Sequence, residues 1–297
     1  MRTSITVLLF LFTVPSLFSQ VGSTEYLGQK APGDTPEIFA PGIITKENQS
    51  EFGSVFSADG KEFFYAIDED GKAEIWCTKL QKGVWTKPKA IISHPIYSFN
   101  DPFLSPDEQK LYYISDRSMT GEDEKKDYDI WYSTREENGW SEPFNAGNTI
   151  NTESNEYYIS FTDDGSMYFS SNTQAEEGRS HDFDIYKSTL KSGHFQKPVK
   201  LSDSINTKRY EADVFVAPDE SYIIFSTARK DGMGKGDLYI SFKNTDNSWS
   251  EAKNMGTDIN TEGHELCPFV TKDGKFFFFT SNQDIYWVDA EILKKFR

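Results

Sequence analysis

One sequence unit occurs five times in this chain, and this repetition constrains the fold more than any other feature. Each copy contains a short apolar run, a small residue and an aspartate, as in "SVFSADG" and "ISFTDDG". The aspartates are Asp59, Asp107, Asp164, Asp219 and Asp273, which are 48, 57, 55 and 54 residues apart. A period near 50 residues is typical of a unit of four short strands with their turns, and it indicates a propeller blade.

Every copy carries the signals of three antiparallel strands, and four of the five copies carry those of a fourth. The Asp-Gly or Asp-Glu pair predicts a hairpin between the first two strands, because such a turn needs residues that tolerate positive φ or bond their own backbone. A third strand opens with an acid, as at Asp129 and Asp184. A fourth is marked by an aromatic residue three positions before Pro or Ala, as at Trp85 and Trp140. Since Pro is tolerated only on an edge, this strand is predicted to be the outer one.

The fifth copy ends without its fourth strand, and the N-terminal segment 35–44 (TPEIFAPGII) matches the proline and the terminal isoleucine of that strand, although it lacks the aromatic residue. Ring closure by that segment leaves no unpaired sheet edge between the first and last blades. The sequence therefore predicts an all-β fold, a five-bladed β-propeller of four-stranded antiparallel blades over residues 34–297. Its ring is closed by the N-terminal strand pairing into the last blade. Residues 20–33 are predicted to be a flexible lead-in.

The first 19 residues have the pattern of a secretory signal peptide. The apolar run 5–18 follows Arg2 and leads into Ser19 and Gln20. Pro15 interrupts this run, which is shorter than the roughly 20 residues that a spanning helix needs. We therefore expect an exported protein, periplasmic or secreted, without a membrane span and monomeric.

Charge and composition exclude several classes of function. The formal net charge is -16, with 47 acidic and 31 basic residues, which excludes nucleic acid as a partner because its binding relies on Lys and Arg. The two cysteines, Cys77 and Cys267, are too few for a disulfide framework and are predicted to be small buried apolar residues. Four histidines disfavour a three-His metal site. No cofactor is expected, and calcium held by the acidic loops 121–127 and 176–182 is the alternative.

The lines "LSPDEQKLYYISDR" and "VAPDESYIIFSTAR", each followed by an Asp-Ile-Trp or Asp-Leu-Tyr strand, resemble the TolB-type, WD-repeat-like propeller repeat of exported bacterial proteins. The resemblance covers residues 35 to about 293. It implies the propeller fold, and it points to a family that includes partner-binding scaffolds and, with related propellers, carbohydrate-active enzymes. This chain has five units where TolB itself is expected to have six and a further domain, so TolB's partner interactions do not carry over.

The first strand of each blade lines the central channel of a propeller, so the residues just before it meet at one mouth. The position six residues before the small residue holds Glu51, Phe99, Glu156, Glu211 and Glu265. Asp101 is in register with Asp213, and Arg209 and His264 stand beside the ring. The predicted ligand-binding residues at this mouth are Glu51, Asp101, Glu156, Arg209, Glu211, Asp213, His264 and Glu265.

Two interpretations of this acidic ring are open. Several acids brought together cost electrostatic energy unless a ligand or an ordered network compensates them. Alternatively, each glutamate repeats one structural bond to the backbone of a neighbouring blade, and the sequence favours this interpretation. His264 and Asp213 break the repeat, so they are better functional candidates than the glutamates.

The first functional hypothesis is a non-catalytic scaffold that binds a protein or carbohydrate ligand at the channel mouth. It rests on the lack of a nucleophile elbow, a zinc-binding helix motif or a phosphate-binding glycine loop in the sequence. The alternative is a glycan-active enzyme, a glycoside hydrolase or lyase that uses channel-lining carboxylates. A hydrolase would need a pair of carboxyl groups roughly 5 to 9.5 Å apart.

Overall fold

The computed structural model describes residues 25–119, 124–174 and 182–297, and it contains five antiparallel sheets arranged as the blades of a propeller. The first strands of successive blades contact one another around the central axis. These inner strands are Ser50–Phe56, Phe99–Leu104, Glu156–Phe161, Glu211–Val216 and Glu265–Val270. The predicted all-β, five-bladed architecture is therefore confirmed.

The remaining strands follow outwards in chain order, except that the outer strand of the last blade comes from the N-terminus. The second strands are Glu62–Glu69, Lys110–Ser115, Met167–Ser171, Tyr222–Thr227 and Phe276–Ser281. The third strands are Lys72–Gln81, Asp129–Glu136, Asp184–Ser188, Asp237–Phe242 and Asp284–Asp289. The outer strands are Lys89–Ile92, Phe144–Asn145, Val199–Lys200, Lys253–Asn254 and Glu37–Ile38. The described elements also include three short 3-10 helices, Glu25–Gly28, Gly256–Asp258 and Ala290–Phe296, and four further two-residue strands, Val84–Trp85, Gly139–Trp140, Leu190–Lys191 and His194–Phe195.

The fourth strand of blades 1 to 3 is interrupted at its proline. The marker aromatic lies in a two-residue strand that continues the hairpin from the third strand, as at Val84–Trp85 and Gly139–Trp140, and in blade 3 at His194–Phe195. In blade 1 the outer strand resumes at Lys89, directly after Pro88. Proline donates no backbone hydrogen bond, so the ladder breaks there and resumes one residue later.

The core lies between blades as well as around the axis. Phe63–Ile67 of the second strand are all buried, because a blade packs between two others and both of its faces are covered. This explains why the second strands read as continuous apolar runs in the sequence instead of alternating apolar and polar residues.

The ring closes as predicted. Glu37 pairs with Trp287 and Ile38 with Tyr286 in an antiparallel ladder. The backbone N–H of Phe39 donates to Ile285 O at 2.8 Å. The fully buried Phe39 ring contacts Phe56 and Phe63 of blade 1 and Phe278 and Trp287 of blade 5. The N-terminal strand therefore joins the two blades by side-chain packing as well as by hydrogen bonds.

Part of the segment predicted to be a flexible lead-in packs against the last blade, where the ring closes. The Tyr26 ring lies 4.7 Å from that of Phe276 and 5.5 Å from that of Trp287, centroid to centroid. Leu27 is buried, and Gln29 Nε2 donates to Ile38 O at 3.0 Å. Residues 26–29 thus have defined contacts with the last blade and with the closing strand.

Two further predictions concern segments only partly described. The predicted signal peptide, residues 1–19, lies outside the described residues, as do most of the acidic loop 176–182 and part of the loop 121–127. Within the described ranges, no helix is long and apolar enough to cross a membrane. In the same ranges, no group of three or more His, Cys, Asp or Glu side chains is arranged to hold a metal ion.

Candidate functional site

The predicted glutamates lie where the first strands begin, and their side chains are buried. The Glu156 side chain is fully buried. Its Oε2 accepts from the backbone N–H of Thr152 at 3.1 Å, and its Oε1 accepts from Thr152 Oγ1 at 2.8 Å and from Ser171 Oγ at 2.9 Å. Burial raises the pKa of Glu156 to about 7. This carboxylate ties the loop before the first strand to the end of the second strand.

Blades 4 and 5 repeat the same bonds. The carboxylate of Glu211 accepts from both the N–H and the Oγ1 of Thr207, at 2.9 and 2.7 Å. The carboxylate of Glu265 accepts from the N–H and the Oγ1 of Thr261, at 3.0 and 2.7 Å. Each also accepts from a hydroxyl at the end of its second strand, on Thr227 and on Ser281 respectively. The side-chain bonds therefore stay within one blade and its entry loop.

The bond between blades is made by the main chain of the glutamates and by a motif that sequence reasoning missed. The N–H groups of Glu156, Glu211 and Glu265 donate to the preceding blade at Tyr128 O, Phe183 O and Gly236 O. Asn151, Asn206 and Asn260 each bond both the N–H and the C=O of one third-strand residue in that blade. The signal was available, because Ile-Asn-Thr precedes each of these glutamates by the same interval, at 150–152, 205–207 and 259–261.

Blade 1 departs from this pattern at Glu51. Lys46 stands at the position equivalent to the threonine and donates only its backbone N–H, at 3.2 Å. Glu51 Oε2 is buried without a hydrogen-bond partner within the described part of the chain. Burial raises the pKa of Glu51 to about 7. Glu51 is therefore the least satisfied glutamate of the set.

Blade 2 replaces the glutamate by Phe99, which is buried and packs edge-on against Tyr113. Asp116, the residue that follows the second strand, takes over part of the glutamate's structural role. Asp116 Oδ1 accepts from the N–H of Ser98 at 2.8 Å, and its Oδ2 pairs with Lys125 at 2.8 Å. Four glutamates and one substitute thus anchor the entry loops of the five blades.

A second layer of side chains lies two residues further along each first strand, at a bulge where the backbone has positive φ. The five residues are Gly53, Asp101, Tyr158, Asp213 and Cys267. Side chains of non-adjacent blades meet here across the axis. Cys267 Sγ donates to Asp101 Oδ1 at 3.4 Å, and the Asp213 carboxyl is close enough to Asp101 for the two charges to interact. The structure thus brings together two of the predicted site residues, Asp101 and Asp213.

The electrostatics of this layer are those of an enclosed pair of acids. Asp101 and Asp213 are 6% and 8% exposed. Burial raises the pKa of both carboxyls, and the charge of Asp101 raises that of Asp213 further. Cys267 was predicted to be an inert apolar residue, but its thiol lies against a carboxylate. Burial, reinforced by both aspartates, raises its pKa well above the usual value.

The channel is closed below this layer. Tyr158 crosses it and donates to Pro268 O at 2.7 Å, which joins blade 3 to blade 5. The rings of Phe103 and Phe269 then meet at 6.0 Å, as do those of Phe215 and Phe269. The opposite mouth, beyond these rings, is a cavity of only about 60 Å³. Side chains therefore block the channel between the aspartates and the opposite mouth.

An arc of aromatic rings runs through blades 2 to 5 around the channel mouth on the glutamate side. Of its members, only the last, His264, was predicted to be a site residue. Successive centroids are 5.2 Å apart for Tyr128 and Tyr157, 5.2 Å for Tyr157 and Phe183, 5.9 Å for Phe183 and Tyr210, and 6.4 Å for Tyr210 and His264. Burial raises the phenol pKa of Tyr157 and Tyr210, and the charges of the two channel aspartates raise both further.

The two remaining predicted residues differ in their surroundings. His264 lies against Gly236, where a Cβ atom would come within 2.4 Å of the His264 ring, and its Nε2 is buried without a partner among the described residues. Burial lowers its pKa, so the neutral ring is favoured. Arg209 is exposed beside Tyr210. The arrangement at this mouth is thus a row of aromatic rings with a cation at its edge and two protonatable acids beneath it.

Comparison with solved structures identifies proteins of the same fold. TolB from Acinetobacter baumannii has a TM-score of 0.52 at 15% identity, over 82% of this chain and 55% of that one. A TolB candidate from Agrobacterium tumefaciens scores 0.51 at 16% identity, over 80% and 72% of the two chains. A protein of unknown function from Dyadobacter fermentans scores 0.50 at 13% identity, over 87% and 83%.

This chain spans little more than half the length of the Acinetobacter TolB. No protein-family model matches the sequence, and no curated protein matches it. At such low identities the likeness carries the fold and not the activity. The chain has a TolB-like β-propeller fold.

Proposed function

We propose that this protein is a non-catalytic scaffold that binds a protein or glycan partner at the channel mouth on the glutamate side. The observation that carries the proposal is the arc of rings from Tyr128 to His264. Aromatic side chains supply large contact areas at little cost in conformational entropy, and they are enriched at binding interfaces. Tyr128, Tyr157, Tyr210 and His264 are only partly buried, so they remain available to a partner.

The state of the carboxylates supports binding over catalysis. A general acid or base must reach the substrate within hydrogen-bond distance. The carboxylates of Glu156, Glu211 and Glu265 are fully buried, and threonine and serine donors already occupy them. The enclosed pair Asp101 and Asp213 is the acidic set left for the alternative, a glycan-active enzyme.

A site-directed crosslinking experiment tests the proposal. A photoreactive residue at position 209 lies at the mouth, and one at position 197, on the outer edge of blade 3, serves as the control. We expect a defined adduct with a protein or a glycan from position 209 alone, and its loss when Tyr157 and Tyr210 are both replaced by alanine. Equal labelling from both positions would contradict the proposal.

Catalysis has its own test. The purified protein is incubated with a panel of polysaccharides, and release of reducing ends or unsaturated sugars is measured. We expect no turnover. Turnover that disappears in Asp101→Asn or Asp213→Asn would replace the scaffold by the enzyme.

The proposal includes export by the N-terminal signal peptide, action as a monomer and no need for a cofactor. N-terminal sequencing of the protein recovered from the cell envelope or the medium should begin near Gln20. Light scattering should give the mass of one chain. Partner binding should be unchanged in the presence of a calcium chelator.

A further inference from the structure

A second cavity lies on the outer side of the ring, away from the channel. Its volume is about 560 Å³, and it is bounded by the outer strands of blade 1 and by the hairpin 135–140 of blade 2. Cavities of this size accommodate small-molecule ligands, which mostly use pockets of roughly 300 to 1,000 Å³. The cavity is therefore large enough for a ligand of two or three rings.

Four cations line this cavity, although the chain as a whole carries a net charge of -16. Cys77 and Lys79 share one face of the third strand, because side chains alternate along a strand. Lys89 is paired with Cys77 across the sheet, and Lys87 and Arg135 complete the lining. Like charges gathered on one face repel one another unless an anion compensates them.

The protein itself compensates only two of these charges. Glu62 accepts from Lys79 at 2.5 Å and from Arg135 at 2.8 Å, and Arg135 also lies over the Trp140 ring at 4.5 Å. In the described part of the chain, neither Lys87 nor Lys89 makes an ion pair. Two cations therefore project beside the cavity with their charge unpaired.

The lysine set breaks the repeat. The equivalent positions hold Thr134, Glu142 and Phe144 in blade 2, Thr189, Lys197 and Val199 in blade 3, and Phe242, Glu251 and Lys253 in blade 4. A structural requirement of the blade would recur around the ring, whereas three lysines occur together only in blade 1. The set therefore reflects a local need for positive charge.

The corresponding contact between blades 3 and 4 shows what a purely structural version looks like. There Glu220 accepts from Lys187 at 2.6 Å and from Lys243 at 3.1 Å, and Trp249 is only 7% exposed. Both lysines at that contact are paired with the glutamate. Between blades 1 and 2, Glu62 pairs with Lys79 and Arg135. Lys87 and Lys89 have no ion-pair partner there among the described residues.

We infer that the cleft between blades 1 and 2 binds a small organic polyanion, with Lys87 and Lys89 as its direct contacts. Lys79 and Arg135, held by Glu62, form the floor of the site and add to its positive potential. Glu136 and Glu137 at the rim, together with the net charge of the chain, disfavour a long polyanion. Two or three carboxylate, sulfate or phosphate groups match the number of cations available.

Calorimetric titration at low salt tests this site. The anionic probes are citrate, trigalacturonate and inositol hexakisphosphate, and maltotriose is the neutral control. The Lys87→Gln/Lys89→Gln variant is compared with Lys191→Gln/Lys197→Gln on blade 3, whose lysines are equally exposed. Because all four side chains are at the surface, both variants should keep the melting temperature of the parent protein.

We expect saturable binding of at least one anionic probe, weakened by added salt, and none of maltotriose. The blade 1 variant should bind about tenfold or more weakly, because it loses two charge-assisted bonds, which are stronger than neutral hydrogen bonds. The affinity of the blade 3 variant should be unchanged. The probe that binds most tightly shows whether the ligand carries carboxylate or phosphate groups and whether it is a sugar. No saturable binding of any anionic probe at millimolar concentration, or equal loss in both variants, would overturn the inference.

Discussion

The two layers of acids at the channel entrance lie two residues apart on the first strands and behave in opposite ways. Glu156 and its equivalents obey the repeat, and three of the four are saturated by hydrogen bonds within their own blade. Asp101 and Asp213 occur in only two blades and meet in an enclosed channel with few donors. The acids that recur around the ring thus have a structural role, whereas the acids that depart from the repeat have no role that the fold itself requires.

The largest expected effect concerns the closure of the ring between blades 5 and 1. Glu51, the glutamate with the fewest hydrogen-bond partners, lies in blade 1. A chain that begins at Glu47 loses the strand Glu37–Ile38 and the buried Phe39 ring, and it exposes the third strand of blade 5 as an edge. We expect a loss of more than about 3 kcal/mol in the free energy of unfolding, together with aggregation. Urea denaturation and light scattering measure the two effects.

A chain that begins at Gly33 is the control for this truncation. It keeps the closing strand and loses only the contacts of residues 26–29, so it should remain folded with a smaller loss of stability. If the chain from Glu47 unfolds at the same urea concentration as the parent and stays monomeric, the N-terminal strand does not hold the ring together.

The next effect concerns the glutamate layer. Glu156→Ala leaves the N–H and Oγ1 of Thr152 and the hydroxyl of Ser171 without their acceptor. We expect a loss of about 3 kcal/mol, because the buried Ser171 hydroxyl left unpaired costs about 1–3 kcal/mol and each lost bond to the exposed Thr152 costs about 0.5–1.5 kcal/mol. Arg209→Ala, at an exposed position on the same face, should change stability by no more than about 0.5 kcal/mol. Equal stability of the two variants would remove the structural role of Glu156.

A smaller effect is expected at the aspartate layer from Gly53→Ala. Gly53 has φ +62°, and a Cβ there would lie 3.0 Å from the Cα of Asp101. We expect a loss of about 2 kcal/mol from strain and crowding together. Gly42→Ala is the matched control, since Gly42 has φ +79° but no atom within 4 Å of the added Cβ. The difference between their melting temperatures isolates the crowding, and a zero difference would mean that Asp101 gives way.

The last effect is the pH dependence of stability that the aspartate layer contributes. The folded-state pKa of Asp213 lies above its unfolded value of about 3.9, so the stabilisation is complete below that pH and is lost as pH rises through the folded pKa. We expect stability to decline between about pH 4 and pH 8, each group contributing at most about 1.4 kcal/mol per pH unit. Asp213→Asn should make this decline shallower.

The control for the pH experiment is Glu153→Gln, which removes an exposed carboxyl on the same face. Its plot of unfolding free energy against pH should be parallel to that of the parent. If Asp213→Asn also gives a parallel plot, the channel aspartates do not share in the pH dependence.

The repeat was sufficient to predict the blade count, the strand order and the closing strand. Hairpin turns and strand lengths are local properties, so Asp59 and its equivalents mark them directly in the sequence. The transfer of one strand from the C-terminus to the N-terminus is also visible, because the segment 35–44 carries part of the pattern missing from the last copy. The sequence likewise placed the four glutamates at one end of the first strands.

Only the tertiary structure decided where those side chains point. The bulge that turns Asp101, Tyr158, Asp213 and Cys267 towards one another needs positive φ at residues that are not glycine, and no local signal in the sequence predicts it. Cys267 and Asp101 are 166 residues apart in the chain and meet only because the ring closes. The aromatic arc and the basic cleft between blades 1 and 2 arise in the same way, since each combines side chains from adjacent blades whose separation is set by packing.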